Sequence, residues 1–385
     1  MIGISGWGSI SALGSNYDVI RENYLHPQHL FKKKDDLNTW CAALSEKSEQ
    51  SLKLLQQVNK NYASVDRSVL MAMYAAEQAV QQAGWSDTAK VGVNIGSSRG
   101  ATDLWEQAFQ YFSENSTQKL PPLTSPTTTL GNIATWVAHH LRASGFTMSH
   151  SVTCSTALHA VLNAVTWLES GRCERFLAGG SEAPLTPFTI AQMKALRIYA
   201  GDENQSYPCR ALDLQKNSNT MVLGEGAACF ALEKNPRNPL AWIAGLGFAN
   251  EKIETATSTS EMGLSASMQM ALQEAELETV DVLVCHAPGT RLGDTAEIRA
   301  VQQVFGKNIP FCTSNKWKIG HTLGASGAMS LEAALMMFIT QQIIKIPYLA
   351  PELHQEPQQI NTVMVNATGF GGNAVSVILK NGKIK

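Results

Sequence analysis

The chain has 385 residues, 44% of them hydrophobic and 16% charged, a composition that can bury a large core and that excludes disordered, collagen-like or repeat-only chains. Thirty Lys and Arg oppose 32 Asp and Glu for a formal net charge of −2, which argues against a general nucleic-acid or membrane-surface binder. Seven scattered cysteines without a CxxC pair disfavour a disulfide framework or a zinc site.

At roughly 150 residues per domain, the length fits two domains or one duplicated unit. The opening residues carry no basic segment followed by a long apolar one, and no later stretch approaches the ~20 uninterrupted apolar residues of a membrane span. A cytoplasmic protein with no membrane span is expected.

Residues 67–84 place Val69, Leu70, Met73, Ala76, Val80 and Ala83 at helical spacing, with Gly84 as the stop. Residues 91–96 alternate apolar and smaller residues, which predicts a strand closed by the polar loop 97–100. The prolines and hydroxyls of 120–127 predict a loop that could cover a site. Leu158, Val161, Leu162, Val165 and Leu168 predict a helix over 155–170, followed by a strand and loop over 176–180. By composition, 201–209 and 216–220 are loops. Helix-then-strand patterns return at 266–277 with 280–285, and at 328–343 with 362–366. The class is α/β, and duplication is one of two readings, because any α/β chain repeats this alternation.

Cys154 is the sharpest local feature, since it stands where an extended segment meets the start of a helix. Exposed N–H groups and the helix dipole at such a position favour an anion, which predicts a lowered thiol pKa. Taken alone, the position also suits a small buried hydrophobe. His286 and His321 lie in Gly-flanked loops, and a third Gly loop, 369–372, follows an apolar strand. A nucleophile, two ring donors and a backbone N–H fit acyl transfer, and no carboxylate or cysteine flanks the histidines at metal-ligand spacing. The other histidines, His26, His29, His139, His140, His150, His159 and His354, are read as structural or solvated.

Six ordered motifs resemble the elongating β-ketoacyl-acyl-carrier-protein synthases of the thiolase superfamily: the segments at 153–156, 178–183 and 223–227, His286 through Asp294 and Glu297, Lys316 with Gly320 and His321, and 369–372. The resemblance implies a thiolase-like duplicated five-layered αβαβα fold, with an N-terminal half over 1–235 carrying the nucleophile and a C-terminal half over 236–385 carrying the two histidine loops. It implies a Cys-His-His acyltransferase needing no metal and no cofactor, its substrates held on the phosphopantetheine of an acyl carrier protein. Cys154 would be acylated, and His286 and His321 would promote decarboxylation of a malonyl thioester. Lys316 would tune His321, and Phe370 would gate the thiol, with Gly371 and Thr290 binding substrate. The implied partners are the acyl carrier protein and a second subunit, in a homodimer or a heterodimer.

The chain also departs from that family. Pro288 stands in place of a threonine, Ser330 in place of a glutamate near Lys316, and Asn373 in place of a threonine after the last Gly loop. Glu332 is two positions beyond Ser330 and at helical spacing points elsewhere. These departures leave a second reading open, a partner subunit resembling a chain-length factor, with little condensing activity of its own.

Overall fold

The computed structural model describes the chain except residues 35–36, 116, 118, 131, 202–205, 252–260, 350–355 and 384–385. Ten strands make one mixed sheet: β1 (Ile2–Ser11), β2 (Gly92–Gly96), β3 (Thr147–Met148), β4 (Arg175–Glu182), β5 (Gly226–Lys234), β6 (Ala241–Asn250), β7 (Val282–Val284), β8 (Phe311–Thr313), β9 (Thr362–Gly369) and β10 (Asn373–Asn381). Their spatial order is β8-β7-β9-β10-β6-β1-β5-β4-β2-β3. Read outward from the β6–β1 junction, the two sets of five repeat one arrangement, each with its first strand at the junction and its third at the far edge. Duplication is therefore present. The junction itself is narrow, because only Ile2–Ile4 pair with Ala241–Ile243.

The helices that matter for the site are α1 (Arg67–Gln82), α2 (Thr102–Glu114), α3 (Thr124–Thr128), α4 (Thr156–Glu169), α5 (Met262–Ala275), α6 (Arg291–Phe305) and α7 (Ser326–Thr340). Helix α1 starts where the Asp66 carboxylate accepts the Ser68 N–H at 2.8 Å, and it packs on the outer face of β1 and β5. Helix α5 covers β6 and β10, with α6 against it. Between the two five-stranded sets lie α4 and α7, which touch each other and the strands on both sides. The result is five layers, αβαβα.

Helix α7 is buried from Ser326 to Phe338. The segment Leu323–Thr340 is apolar enough to cross a membrane, yet nearly all of it lies inside the protein, as befits the central layer of a stack.

Four expectations need correction. The strand and loop expected over 176–180 are strand throughout, within β4, and at Gly179 a Cβ would stand 2.1 Å from the Ala228 carbonyl of the next strand. Residues 124–128 are helical. Pro126 falls in the first turn, where a missing N–H is harmless, and the Thr127, Thr128 and Thr129 hydroxyls bond carbonyls four residues back. Finally, no residue of 120–127 lines the cavity described below. Helix α5 also begins at Met262, four residues ahead of the apolar periodicity. The stretches 201 and 206–209 are irregular as expected, whereas 202–205 and His354 lie outside the described residues.

Candidate active site

The nucleophile turn is built from a strained backbone. Thr153 has φ 49°, a left-handed value that a β-branched residue rarely adopts, and Ser155 forms the N-cap of α4. Cys154 thus stands just outside the helix, half-buried. Enclosure pushes its thiol up to about 12; the nearby Lys316 and Arg99 cations pull it down and the Glu182 carboxylate pushes it up. The expectation of a lowered pKa is corrected: loss of water around the sulfur outweighs what nearby positive charge supplies.

His286 follows β7, and its loop is held by two buried carboxylates. Glu297 accepts the N–H groups of His286 at 2.8 Å and Ala287 at 2.7 Å. Asp294 accepts those of Gly289 at 3.0 Å and Leu212 at 2.9 Å, together with Lys216 Nζ at 2.7 Å. Ala287 is left at φ 28°. Thr290 caps α6 by accepting the Gly293 N–H at 3.2 Å, so its hydroxyl proton remains free to donate.

His321 is fixed by its own backbone, which donates to Val222 O at 2.7 Å and accepts from Gly224 N at 3.2 Å. The next turn carries Leu323 at φ 42°. The two imidazoles meet edge to face, 5.1 Å apart at 83°, and neither Nδ1 has a hydrogen-bond partner among the described residues. Burial holds both rings well below the ordinary histidine pKa, Lys316 adding to the effect for each and His321 adding further for His286. Both are neutral at pH 7.

Lys316 is buried behind these rings, with no hydrogen-bond partner for Nζ among the described residues and no share in the cavity wall. Burial lowers it to about 8, against a raising pull led by Glu297 and followed by Cys154, Cys209 and Asp294. Glu297 is thus the foremost carboxylate acting on Lys316. The Ser330 hydroxyl has no hydrogen-bond partner among the described residues. Glu332 is buried next to Ser9 and Tyr24, and burial raises its carboxyl to about 7.

Two further contacts join the loops. Glu182, at the end of β4, accepts Ser97 Oγ at 2.8 Å, Ser98 N at 2.8 Å, Arg99 N at 3.1 Å and Gly324 N at 2.9 Å. The Phe370 carbonyl accepts Thr153 Oγ1 at 3.2 Å and Asn373 Nδ2 at 3.0 Å. At Gly369 any Cβ would fall 1.8 Å from Thr153 Oγ1, so only glycine permits this approach.

All of this surrounds a single cavity of about 760 Å³, whose wall includes Cys154, His286, His321, Phe370, Thr290 and Pro288. Gly371 is not in the wall; at φ 94° it is the turn beside Phe370. Part of the wall is apolar, with Met193, Leu196, Ile198, Met221 and Leu264. Among the described residues no group of three His, Cys, Asp or Glu is placed to hold a metal. The motif carboxylates Glu182, Asp294 and Glu297 hold the loops at 97–99, 286–289 and Gly324, a role that their identity alone does not reveal. His159, read as structural, contacts the residue next to the nucleophile, with its Nδ1 3.1 Å from Ser155 Oγ. Spacing carries a signal for that contact, since His159 and Ser155 are four residues apart on one helix face.

Chemically, the arrangement offers a thiol, two neutral ring donors, a buried cation and a loop of free N–H groups around one apolar chamber. The chain matches the β-ketoacyl synthase N-terminal domain over residues 8–238 and the β-ketoacyl synthase C-terminal domain over residues 240–349. It is 26% identical to a 3-oxoacyl-[acyl-carrier-protein] synthase 2 of Staphylococcus aureus, covering 98% of this chain and 100% of that one. A Rhizobium meliloti protein of the same name is 27% identical over 83% of this chain and 82% of its own. Among solved structures, a β-ketoacyl synthase from Burkholderia phymatum superposes with a TM-score of 0.86 at 24% identity, covering 99% of each chain. The Xenorhabdus doucetiae ketosynthase in complex with its chain length factor gives 0.79 at 23%, over 99% of this chain and 98% of that one. A type II polyketide synthase acyl-carrier protein in complex with its ketosynthase gives 0.86 at 21% over 99% of each. These likenesses establish the thiolase-like fold.

Proposed function

The chain belongs to the β-ketoacyl synthase family, and from that premise we propose that it is a Cys-His-His condensing acyltransferase of fatty-acid or type II polyketide synthesis. The Cys154 sulfur attacks an acyl thioester carried on an acyl carrier protein, the carrier thiol leaves with the proton, and the acyl group stays on sulfur. The N–H groups of Cys154 and Phe370 receive the developing oxyanion. A malonyl-carrier thioester then loses carbon dioxide. His286 and His321 donate ring N–H to the resulting enolate, whose carbon attacks the acyl-Cys154 carbonyl. Sulfur departs as thiolate and regains a proton from water, leaving a 3-oxoacyl chain longer by two carbons.

The observation that carries this reading is the meeting of Cys154, His286 and His321 on one cavity. Neutral rings suit the role, because a neutral imidazole can donate one proton without repelling the Lys316 cation beside it. Lys316 acts from behind as a charge on His321 and Cys154, Thr290 donates to the carrier's pantetheine arm, and Gly371 lets Phe370 swing. The division at 235/236 gives the nucleophile to one half and both histidines to the other. The enzyme works in the cytoplasm, as a homodimer or paired with a second ketosynthase subunit. Retention of all three side chains around one chamber favours it over a chain-length-factor-like subunit.

The test is intact-protein mass spectrometry with acyl-carrier thioesters, then malonyl-carrier protein. The wild type should gain one acyl mass and release a product two carbons longer, and Cys154→Ala should gain nothing. Failure to discharge until a second synthase is added would overturn the reading in favour of the partner subunit.

A further inference from the structure

Both sequence neighbours of Cys154 reach the loop that bears Phe370. Thr153 does so directly, its hydroxyl on the Phe370 carbonyl at 3.2 Å. Ser155 does so through Asn373, since its hydroxyl bonds Asn373 Oδ1 while Asn373 Nδ2 donates to the same Phe370 carbonyl at 3.0 Å.

The proton directions follow by elimination. A carbonyl only accepts, so the amide must present Nδ2 to Phe370 and Oδ1 to Ser155. Oδ1 also only accepts, as does the Val152 carbonyl 2.9 Å from the same hydroxyl, so Ser155 shares its single proton between these two acceptors. His159 Nδ1, 3.1 Å from Ser155 Oγ, must then be the protonated ring nitrogen. A one-way relay runs from His159 through Ser155 and Asn373 to Phe370, and each member has a partner.

We propose that Ser155 and Asn373 are positioning residues that latch the Phe370 loop onto the nucleophile turn, fixing the spacing between the N–H groups of Cys154 and Phe370 and holding the Phe370 ring at the cavity wall. The proposal deepens the condensing-enzyme reading and rests on it for its kinetic arm.

Two readouts separate the two ideas. Iodoacetamide labelling of Cys154, followed by peptide mass, needs no substrate, and the half-buried Cys173 is an internal reference. Asn373→Ala and Ser155→Ala should each speed labelling of Cys154 severalfold relative to Cys173, and the double variant should be no faster than either. Asn373 is only half-buried and Ser155→Ala removes one oxygen, so both variants fold. Asn373→Asp keeps an acceptor for Ser155 but sets a carboxylate against the Phe370 carbonyl, and should behave like the alanine. In single-turnover acyl transfer the same variants should lose about tenfold in kcat at unchanged KM. Labelling rates equal to wild type, or effects that multiply in the double variant, would overturn the latch. A wild type that labels as expected but takes no acyl group would overturn the condensing reading alone.

Discussion

At the scale of single residues, the site is governed by one buried cation. Lys316 keeps its proton below about pH 8 and there pulls the Cys154 thiol down. As pH rises through 8 the ammonium deprotonates, so each added unit of pH gives less than the usual gain in thiolate. Lys316→Met removes the attraction at every pH. If the thiol rises by one unit, thiolate falls tenfold, so acylation of Cys154 at pH 7 should slow by about that factor and the inflection near pH 8 should vanish from the rate profile, as rapid-quench mass analysis would show. The residues that carry the chemistry were legible because cysteine, histidine and glycine in polar loops are conspicuous. Asn373 and Ser155 were not, because nothing in a sequence says that positions 218 apart share a proton.

Among elements, the long periodic helices were read nearly to their ends, since an apolar stripe facing a sheet is a strong pattern. The stretch 124–128 was missed because its helicity rests on threonine hydroxyls bonding backward, which composition alone reports as loop. Helix α7 conceals a different feature. Its Glu332 is fully enclosed, with a carboxyl raised to about 7 from the ordinary 4.5. Between those values the folded chain keeps a proton that the unfolded chain has released, so stability falls as pH rises across the window. The loss by pH 8 is about 3 kcal/mol. Glu332→Leu should abolish that slope and stabilise the protein more at pH 8 than at pH 5 in urea unfolding. An unchanged slope would assign the pH dependence elsewhere.

Over the whole molecule, the repeat of strand order was beyond reach of the sequence, because spatial order depends on which edges pair and not on local pattern. The two sets of strands meet through three residue pairs, yet the apolar core runs through both, from Ile4 and Leu158 to Leu335 and Val377. Either half alone would keep its own central helix, α4 or α7, but leave the face that helix turns toward the other half uncovered. Residues 1–235 expressed alone should therefore fail to unfold cooperatively, while the full chain gives one calorimetric transition. Two separate transitions would show that the halves are independent. The strained backbone carries a consequence of its own. Thr153, Ala287 and Leu323, with φ of 49°, 28° and 42°, each stand within two residues of Cys154, His286 or His321, and glycine at any of them would relieve about 1 kcal/mol. The side chains at these three positions hold the loops of the thiol and of both imidazoles in conformations that glycine would leave freer, so the rigidity of the chamber is obtained at a cost in stability.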